Sequence, residues 1–219
     1  MKKRLLSILM VLLMVFALAA CGQEPSEPET EGAYDELIGK IRAEIEADNL
    51  DESQLEGMYS LYVGLEHLGD EKLSAAGYTI EDINGDGTPE LIVGMVGGNV
   101  LFNLYTLSEG EPVLVFDSFA RNSYSLMEDG KFSYHGSSSA ASSAFGVFSL
   151  PAGGTELECE DFWFSDIKPG TDMEIGFYHN TAGVWEVESS EELEISEEEF
   201  WEMGGKAGPL KAIELTPFA

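Results

Sequence analysis

The chain has 219 residues, of which 41 are Asp or Glu and 11 are Lys or Arg, so its formal charge is −30. A chain this acidic is not expected to bind nucleic acid or to adsorb electrostatically to anionic lipid, because both partners require a basic surface. Hydrophobic residues make up 44% of the chain and charged residues 24%, proportions typical of a folded domain. Collagen-like, coiled-coil and multispanning membrane classes are excluded.

The N-terminus has the features of a secretory signal peptide in their usual order. Residues 2–4 are basic, and residues 5–17 are apolar apart from Ser7, a stretch too short for a stable transmembrane helix. Small residues then precede Cys21, and this sequence resembles the lipobox of bacterial lipoproteins. The resemblance implies cleavage before Cys21, transfer of diacylglyceryl to its thiol and acylation of the new amino terminus. An ordinary signal peptide with a chance cysteine is the alternative.

These features predict three segments. Residues 1–20 form the signal peptide, residues 21–33 the lipidated cysteine and an acidic tether, and residues 34–219 a single globular domain. Without residues 1–20 the chain contains 8 basic and 41 acidic residues, so its formal charge is −33. Two or more acyl chains hold a protein stably on a membrane, and a tether of about 10 residues spans roughly 20–30 Å. We therefore expect a monomer on the outer surface of the cell membrane, in contact with the membrane through its lipid anchor only.

Apolar residues follow a helical period at both ends of the domain. Tyr34, Leu37, Ile41 and Ile45 predict a first helix of about three turns. Asp51 resembles an N-cap and predicts a second helix, whose apolar stripe is Leu55, Met58, Tyr59, Tyr62 and Val63. A last helix is predicted to begin at Ser196, where Glu199 completes a capping box, and to end at Gly204.

Between these helices the period changes to two, which predicts β-strands. Short turns separate the strands, so neighbouring strands pair antiparallel, because parallel pairing needs crossovers of about a dozen residues or more. The predicted fold class is α+β, with two N-terminal helices, a mostly antiparallel β-sheet and one C-terminal helix. The predicted strands are residues 77–82, 90–96, 100–107, 112–119, 123–128, 131–135, 144–150, 156–163, 173–178 and 184–188. Cys159 lies in one of them, has no intramolecular disulfide partner once Cys21 is lipidated, and is expected to be a small buried apolar residue.

One loop has the pattern of a metal site. Asp82, Asn84 and Asp86 stand at loop positions 1, 3 and 5, a glycine at position 6 and Glu90 at position 9, while the Thr88 carbonyl is available at position 7. A hard divalent cation takes about six to eight oxygen ligands, and three carboxylates at one point are costly unless a cation neutralises them. We therefore predict weak calcium binding at Asp82, Asn84, Asp86, Thr88 and Glu90. A metal-free β-turn is the alternative.

The start of this loop resembles an EF-hand loop, but position 12 is Val93 instead of glutamate. With an acid at position 9, the loop is more similar to the DxDxDG calcium loops between strands of secreted β-rich proteins, including FG-GAP modules. Residues 84–93, 136–143 and 176–180 together resemble a group of lipoproteins of Gram-positive anaerobes whose function is not settled. The resemblance implies location and fold, and it implies no activity.

No catalytic residue is predicted. The sequence contains no nucleophile elbow, no zinc-hydrolase motif and no phosphate-binding loop. The preferred interpretation is a non-enzymatic binding module for an extracellular ligand or protein that the sequence does not identify. The alternative is a secreted hydrolase that uses the serine-rich loop at residues 137–143, which begins at Ser137 and contains Ser138 and Ser139, with His135 or His179. That alternative requires a histidine within hydrogen-bond reach of one of these serines.

Overall fold

The computed structural model describes residues 32–118, 121–204 and 207–219. The predicted signal peptide, Cys21 and most of the predicted tether lie outside the described residues, as does the end of the predicted strand 112–119. Within these ranges the helices are α1 (Asp35–Glu46), α2 (Met58–Leu65), α3 (Lys72–Ala75) and α4 (Glu197–Met203). No helix in the described ranges is long and apolar enough to cross a membrane.

The strands of the described chain form one antiparallel sheet. Their order across the sheet is β10-β9-β8-β7-β6-β5-β3-β2-β1-β11, and β4 pairs with β3 beside the point where β5 joins the same edge. This confirms the predicted α+β class and the antiparallel pairing. The strands are β1 (Ala76–Glu81), β2 (Glu90–Met95), β3 (Leu101–Ser108), β4 (Glu111–Asp117), β5 (Asn122–Leu126), β6 (Phe132–Ser137), β7 (Ser143–Ser149), β8 (Glu158–Ile167), β9 (Ile175–Asn180), β10 (Glu191–Leu193) and β11 (Thr216–Pro217).

The sheet separates two hydrophobic clusters. Successive side chains of a strand point to opposite faces, so Leu91 and Val93 of β2 pack with α1 and α2, whereas Ile92 packs in the second cluster. The second cluster is rich in aromatic rings, among them Phe132 and Phe162, which are fully or almost fully buried. The loop that connects β1 to β2 therefore leads into a strand that belongs to both clusters.

The N-terminal helices differ from the prediction at α2. This helix begins at Met58 instead of after Asp51, because Gly57 precedes it with φ of 86° and its carbonyl accepts a hydrogen bond from Asn103 Nδ2 at 2.9 Å. A side chain at position 57 would collide with Asn103 as well as being strained. The predicted stripe was also partly wrong, since Tyr59 is 59% exposed. The short helix α3 was not predicted. The capping box of α4 between Ser196 and Glu199 is confirmed.

The predicted strand 184–188 was wrong. Asn180 Oδ1 accepts hydrogen bonds from the N–H groups of Ala182, Gly183 and Val184, and this turn directs the chain out of the sheet. The apolar residues that follow cover the second cluster, where Trp185 contacts the ring of Phe162 with centroids 5.7 Å apart. The alternation of apolar and polar residues over 184–188 arises because Trp185 and Val187 pack on the second cluster. The chain pairs with the sheet again only at β10.

The C-terminal segment, residues 207–218, contacts two separate parts of the sheet. Leu210 forms a bridge with Met127 next to β5, and β11 then pairs with β1. Phe218 is 2% exposed and packs in the first cluster, with its ring centroid 5.2 Å from that of Tyr78. This segment thus joins the chain next to β5, in the middle of the sheet, to β1.

Candidate metal centre

The loop predicted to bind calcium connects β1 to β2 and is closed at its base by the pairing of Glu81 with Glu90. Asp82 folds back into the loop: its Oδ1 accepts hydrogen bonds from the N–H of Gly85 at 2.8 Å and of Asp86 at 3.2 Å, and its Oδ2 accepts one from Gly87 at 3.0 Å. Gly85 and Gly87 have φ of 76° and 90°, a conformation that glycine adopts without steric cost. The carboxylate of Asp82 therefore faces the backbone amides of the tip.

Asn84 and Asp86 connect the loop to the turn between β7 and β8. Asp86 Oδ1 accepts a hydrogen bond from the N–H of Thr88 at 2.7 Å, and its Oδ2 accepts one from the N–H of Gly153 at 2.6 Å. Asn84 Nδ2 donates to the carbonyl of Pro151 at 3.3 Å. Partial loss of hydration would raise the pKa of Asp86, but these N–H donors outweigh it and hold the pKa below its usual range. Asp86 is thus an ionised acceptor shared by two loops.

Glu90 lies at the base of the loop and its side chain is fully buried. Its Oε2 accepts a hydrogen bond from the N–H of Ile83 at 2.9 Å, and its Oε1 accepts one from Thr106 Oγ1 at 3.2 Å. Burial raises the pKa of Glu90 to about 7; the two hydrogen bonds oppose this rise, and the negative charges of Asp86 and Asp82 add to it. Glu90 therefore carries a proton more readily than an exposed glutamate.

Tyr34, the residue before α1, contacts the end of the loop. The hydroxyl of Tyr34 donates to the carbonyls of Pro89 at 2.9 Å and Tyr105 at 3.3 Å. Burial and the nearby charge of Glu90 raise the pKa of Tyr34, so the hydroxyl stays protonated and remains a donor. Sequence reasoning missed the contacts of Tyr34, Thr106 and Gly153 with the loop, because each comes from an element distant in sequence and only the fold brings them together.

The donor set of the loop fits calcium chemically, since carboxylate, amide and backbone oxygens are the ligands that Ca²⁺ takes. Each carboxylate oxygen has two lone pairs, so the N–H bonds to Asp82 and Asp86 leave acceptor capacity. In the described ranges no three His, Cys, Asp or Glu side chains are grouped closely enough to hold a metal. Asp82, Asn84, Asp86, Thr88 and Glu90 thus form a hydrogen-bonded turn here, and binding would require their side chains to move together.

The serines and histidines of the alternative hydrolase do not meet in the described hydrogen bonds. Ser137 Oγ donates to the carbonyl of Ser139 at 3.0 Å, and Ser139 Oγ bonds to Ser142 Oγ at 3.0 Å. His135 stacks on Phe145 in β7, with centroids 5.1 Å apart. His179 Nε2 lies 2.9 Å from Asp161 Oδ1. Ser142 Oγ also donates to Asp166 Oδ1 at 3.1 Å, and in the described hydrogen bonds no histidine side chain reaches Ser137, Ser138 or Ser139.

Cys159 is partly buried in the second cluster, which agrees with the expected apolar role. Burial, together with the nearby charges of Asp161 and Glu160, raises the pKa of its thiol to about 11. The thiol is therefore protonated at neutral pH and a poor nucleophile.

The fold and the loop define the class of the described chain as an α+β domain with one antiparallel sheet and an acidic loop at the β1–β2 connection. Comparisons of the chain with protein-family models, with curated proteins and with solved structures found no match.

Proposed function

We propose that the protein is a lipid-anchored binding protein outside the cytoplasm, in which the loop between β1 and β2 binds one calcium ion. Cys21 would carry the anchor, and Asp82, Asn84, Asp86, Thr88 and Glu90 would supply the oxygen ligands. The ion would hold the β1–β2 loop and the β7–β8 turn together, and the domain would present its surface to an extracellular partner. The resemblance of the N-terminus to a lipobox supports the location.

The observation that carries the calcium proposal is the combination of a buried glutamate with two acidic neighbours in one loop. Glu90 is fully buried, and the charges of Asp82 and Asp86 act on it. Within the described residues, none of these three carboxylates has an ion pair with a Lys, Arg or His side chain. A divalent cation would neutralise this charge, and the calcium-bound state would therefore be more stable than the calcium-free state.

The test is the melting temperature of the full chain in detergent, from excess chelator to about 10 mM calcium, with magnesium in parallel. Binding to the native state at ten times the dissociation constant adds about 1.4 kcal/mol, a rise of roughly 3–6 °C for a domain of this size. We expect a saturating rise with calcium that magnesium does not reproduce. A flat response to calcium would leave the loop as a metal-free turn.

Asp86→Asn is the variant that tests the loop itself. It removes one charge but keeps one side-chain oxygen that can still coordinate calcium, so we expect calcium binding to weaken and the rise in melting temperature to require at least about tenfold more calcium, while the chelated protein loses about 1 kcal/mol or less. Asp70→Asn is the matched control, because Asp70 is exposed in the segment before α3 and lies outside the loop. An equal calcium response in both variants would contradict a site at Asp86.

Membrane attachment is tested by Cys21→Ala. Without a thiol the diacylglyceryl group has no point of attachment, so we expect the protein to move from the membrane fraction to the soluble fraction. Cys159→Ala is the control and should leave the distribution unchanged, because Cys159 lies within the sheet. Retention of the Cys21 variant in the membrane fraction, after alkaline washing, would contradict lipid anchoring through this residue.

A further inference from the structure

A groove runs between helix α1, the turn before α2 and strand β4. Its volume is about 460 Å³, within the range of ligand-binding clefts. Leu37 of α1, Leu55 of the turn and Leu114 of β4 supply apolar surface. The groove shares no lining residue with the calcium loop.

Strand β4 borders this groove with its free edge. In the described chain β4 pairs only with β3. Four consecutive residues of β4, residues 111–114, line the groove. Since successive side chains of a strand point to opposite faces, four consecutive residues border one groove most simply along the strand edge. Backbone donors and acceptors of β4 are thus accessible next to an apolar surface, a geometry suited to the addition of an extended strand.

The rim of the groove is acidic. Glu36, Glu56 and Glu111 are exposed there, and the single basic side chain of the lining, Lys40, is paired with Glu36 at 2.6 Å. A second copy of the chain, with its formal charge of −30, would be repelled from this edge. Pro112 has no N–H, so any strand added at this edge, from a second copy or from a peptide, lacks one backbone hydrogen bond there. The charge therefore favours a basic occupant over a second copy.

We propose that this groove binds an extended peptide segment of alternating basic and apolar residues, which pairs with the edge of β4. Apolar side chains of the peptide would pack on Leu37, Leu55 and Leu114, while its lysines would lie near Glu56 and Glu111. The inference rests on the proposed role as a binding module and names the chemistry of its partner. Peptide binding at the groove does not depend on calcium binding at the β1–β2 loop. A negative result for calcium therefore leaves the peptide proposal intact, and a negative result for the peptide leaves the calcium site intact.

The probe is a heptapeptide of alternating Lys and Val, titrated against the ¹⁵N-labelled full chain in detergent at low salt. We expect micromolar binding, with shifted amide resonances and slowed hydrogen exchange along β4. Two control peptides separate the contributions: one has Glu in place of Lys, and the other keeps every side chain but is N-methylated at alternate backbone positions. Both should bind at least about tenfold more weakly, the first through charge repulsion and the second through lost backbone hydrogen bonds.

A double charge reversal, Glu56→Lys with Glu111→Lys, should weaken binding of the Lys–Val peptide roughly three- to tenfold, because both side chains are exposed rim charges. Glu198→Lys combined with Asp70→Lys is the matched control, with the same charge change away from the groove. Equal binding of the N-methylated peptide would overturn strand addition and indicate adsorption by charge alone. Absence of binding, shifts located elsewhere, or a dimer of the chain through β4 would also overturn the proposal.

Discussion

Burial determines the ionisation of Glu90. Its carboxyl group is fully buried and has two protein donors, Ile83 N–H and Thr106 Oγ1, yet the pKa rises from 4.5 to about 7. Desolvation therefore outweighs two hydrogen bonds at this residue. Asp86 is the opposite case, because its N–H donors outweigh its partial desolvation and lower its pKa. The pKa values of two carboxylates in one loop are thus shifted in opposite directions.

The raised pKa of Glu90 predicts a stability change between pH 4.5 and 7 in the presence of chelator. Over this interval the folded state holds a proton that the unfolded chain has released, so the free energy of unfolding decreases as pH rises. The contribution of protonated Glu90 to the free energy of unfolding is fully present below pH 4.5 and lost above pH 7. A pKa shift from 4.5 to about 7 corresponds to about 3 kcal/mol. Urea unfolding of the wild type and Glu90→Gln at several pH values measures it.

Glu90→Gln is the comparison because it keeps the size of the side chain and cannot ionise. Other carboxylates titrate in both proteins, so the relevant quantity is the difference between the two unfolding free energies. We expect the wild type to lose stability relative to Glu90→Gln as pH rises from 5 to 7. Parallel curves would mean that Glu90 is ionised in the folded protein throughout this interval.

Among the larger elements, the C-terminal segment, residues 207–218, contacts several separate parts of the domain. It joins Met127 near β5 to β1 and ends with Phe218 in the first hydrophobic cluster. Lys211 in its middle forms an ion pair with Glu81, the last residue of β1. The segment therefore connects β1 with the chain next to β5, two strands that are separated in the sheet by β3 and β2, so its removal is expected to destabilise this part of the sheet.

Phe218→Ala tests this role. Removal of a phenylalanine that is 2% exposed should cost about 3–5 kcal/mol, because it loses apolar burial and leaves a cavity against Tyr78. Ile80→Ala is the control on the neighbouring strand, since Ile80 is 43% exposed, and should cost less than about 1 kcal/mol. Urea denaturation of both variants gives the comparison. Similar costs would indicate that the segment can detach without unfolding the domain.

Elements with strong local signals could be predicted from the sequence. Helix α1 follows from its apolar stripe, α4 from its capping box, and most strands from their alternation. The errors occurred where tertiary contacts decide the conformation. Asn103 of β3 donates a hydrogen bond to the carbonyl of Gly57 and so stabilises a turn there, because of which α2 begins at Met58 and not after Asp51. Trp185 packs over the second cluster, which gives residues 184–188 a strand-like pattern outside the sheet.

The candidate site was predictable to a similar extent. The spacing of Asp82, Asn84 and Asp86 already indicates a loop whose side chains turn inward, and the hydrogen bonds of Asp82 agree with this. The burial of Glu90 and the contact of Asp86 with Gly153 were not predictable, because they depend on Thr106 of β3 and on the β7–β8 turn. Local spacing therefore identified the loop, and the fold determined its electrostatics.

At the scale of the whole molecule, the charge of −30 affects every measurement of cation binding. Mutual repulsion among acidic side chains destabilises the compact state, and any added salt screens it. Ion pairs that the structure describes, such as Lys131 with Glu160 and Lys168 with Glu174, neutralise only part of this charge. A rise in melting temperature on addition of calcium can thus contain a general contribution from screening.

This charge predicts that sodium chloride raised from about 20 to about 500 mM increases the melting temperature of the wild type and of Asp86→Asn by similar amounts, because screening acts on the whole surface. Calcium added on top of about 500 mM sodium chloride should then raise the melting temperature of the wild type more than that of Asp86→Asn, since the residual response depends on the charge of the loop. Differential scanning calorimetry of both proteins in the two salts separates these contributions. If high salt abolishes the calcium response of the wild type, the response is screening, and the loop between β1 and β2 is a turn that acidic residues stabilise through hydrogen bonds alone.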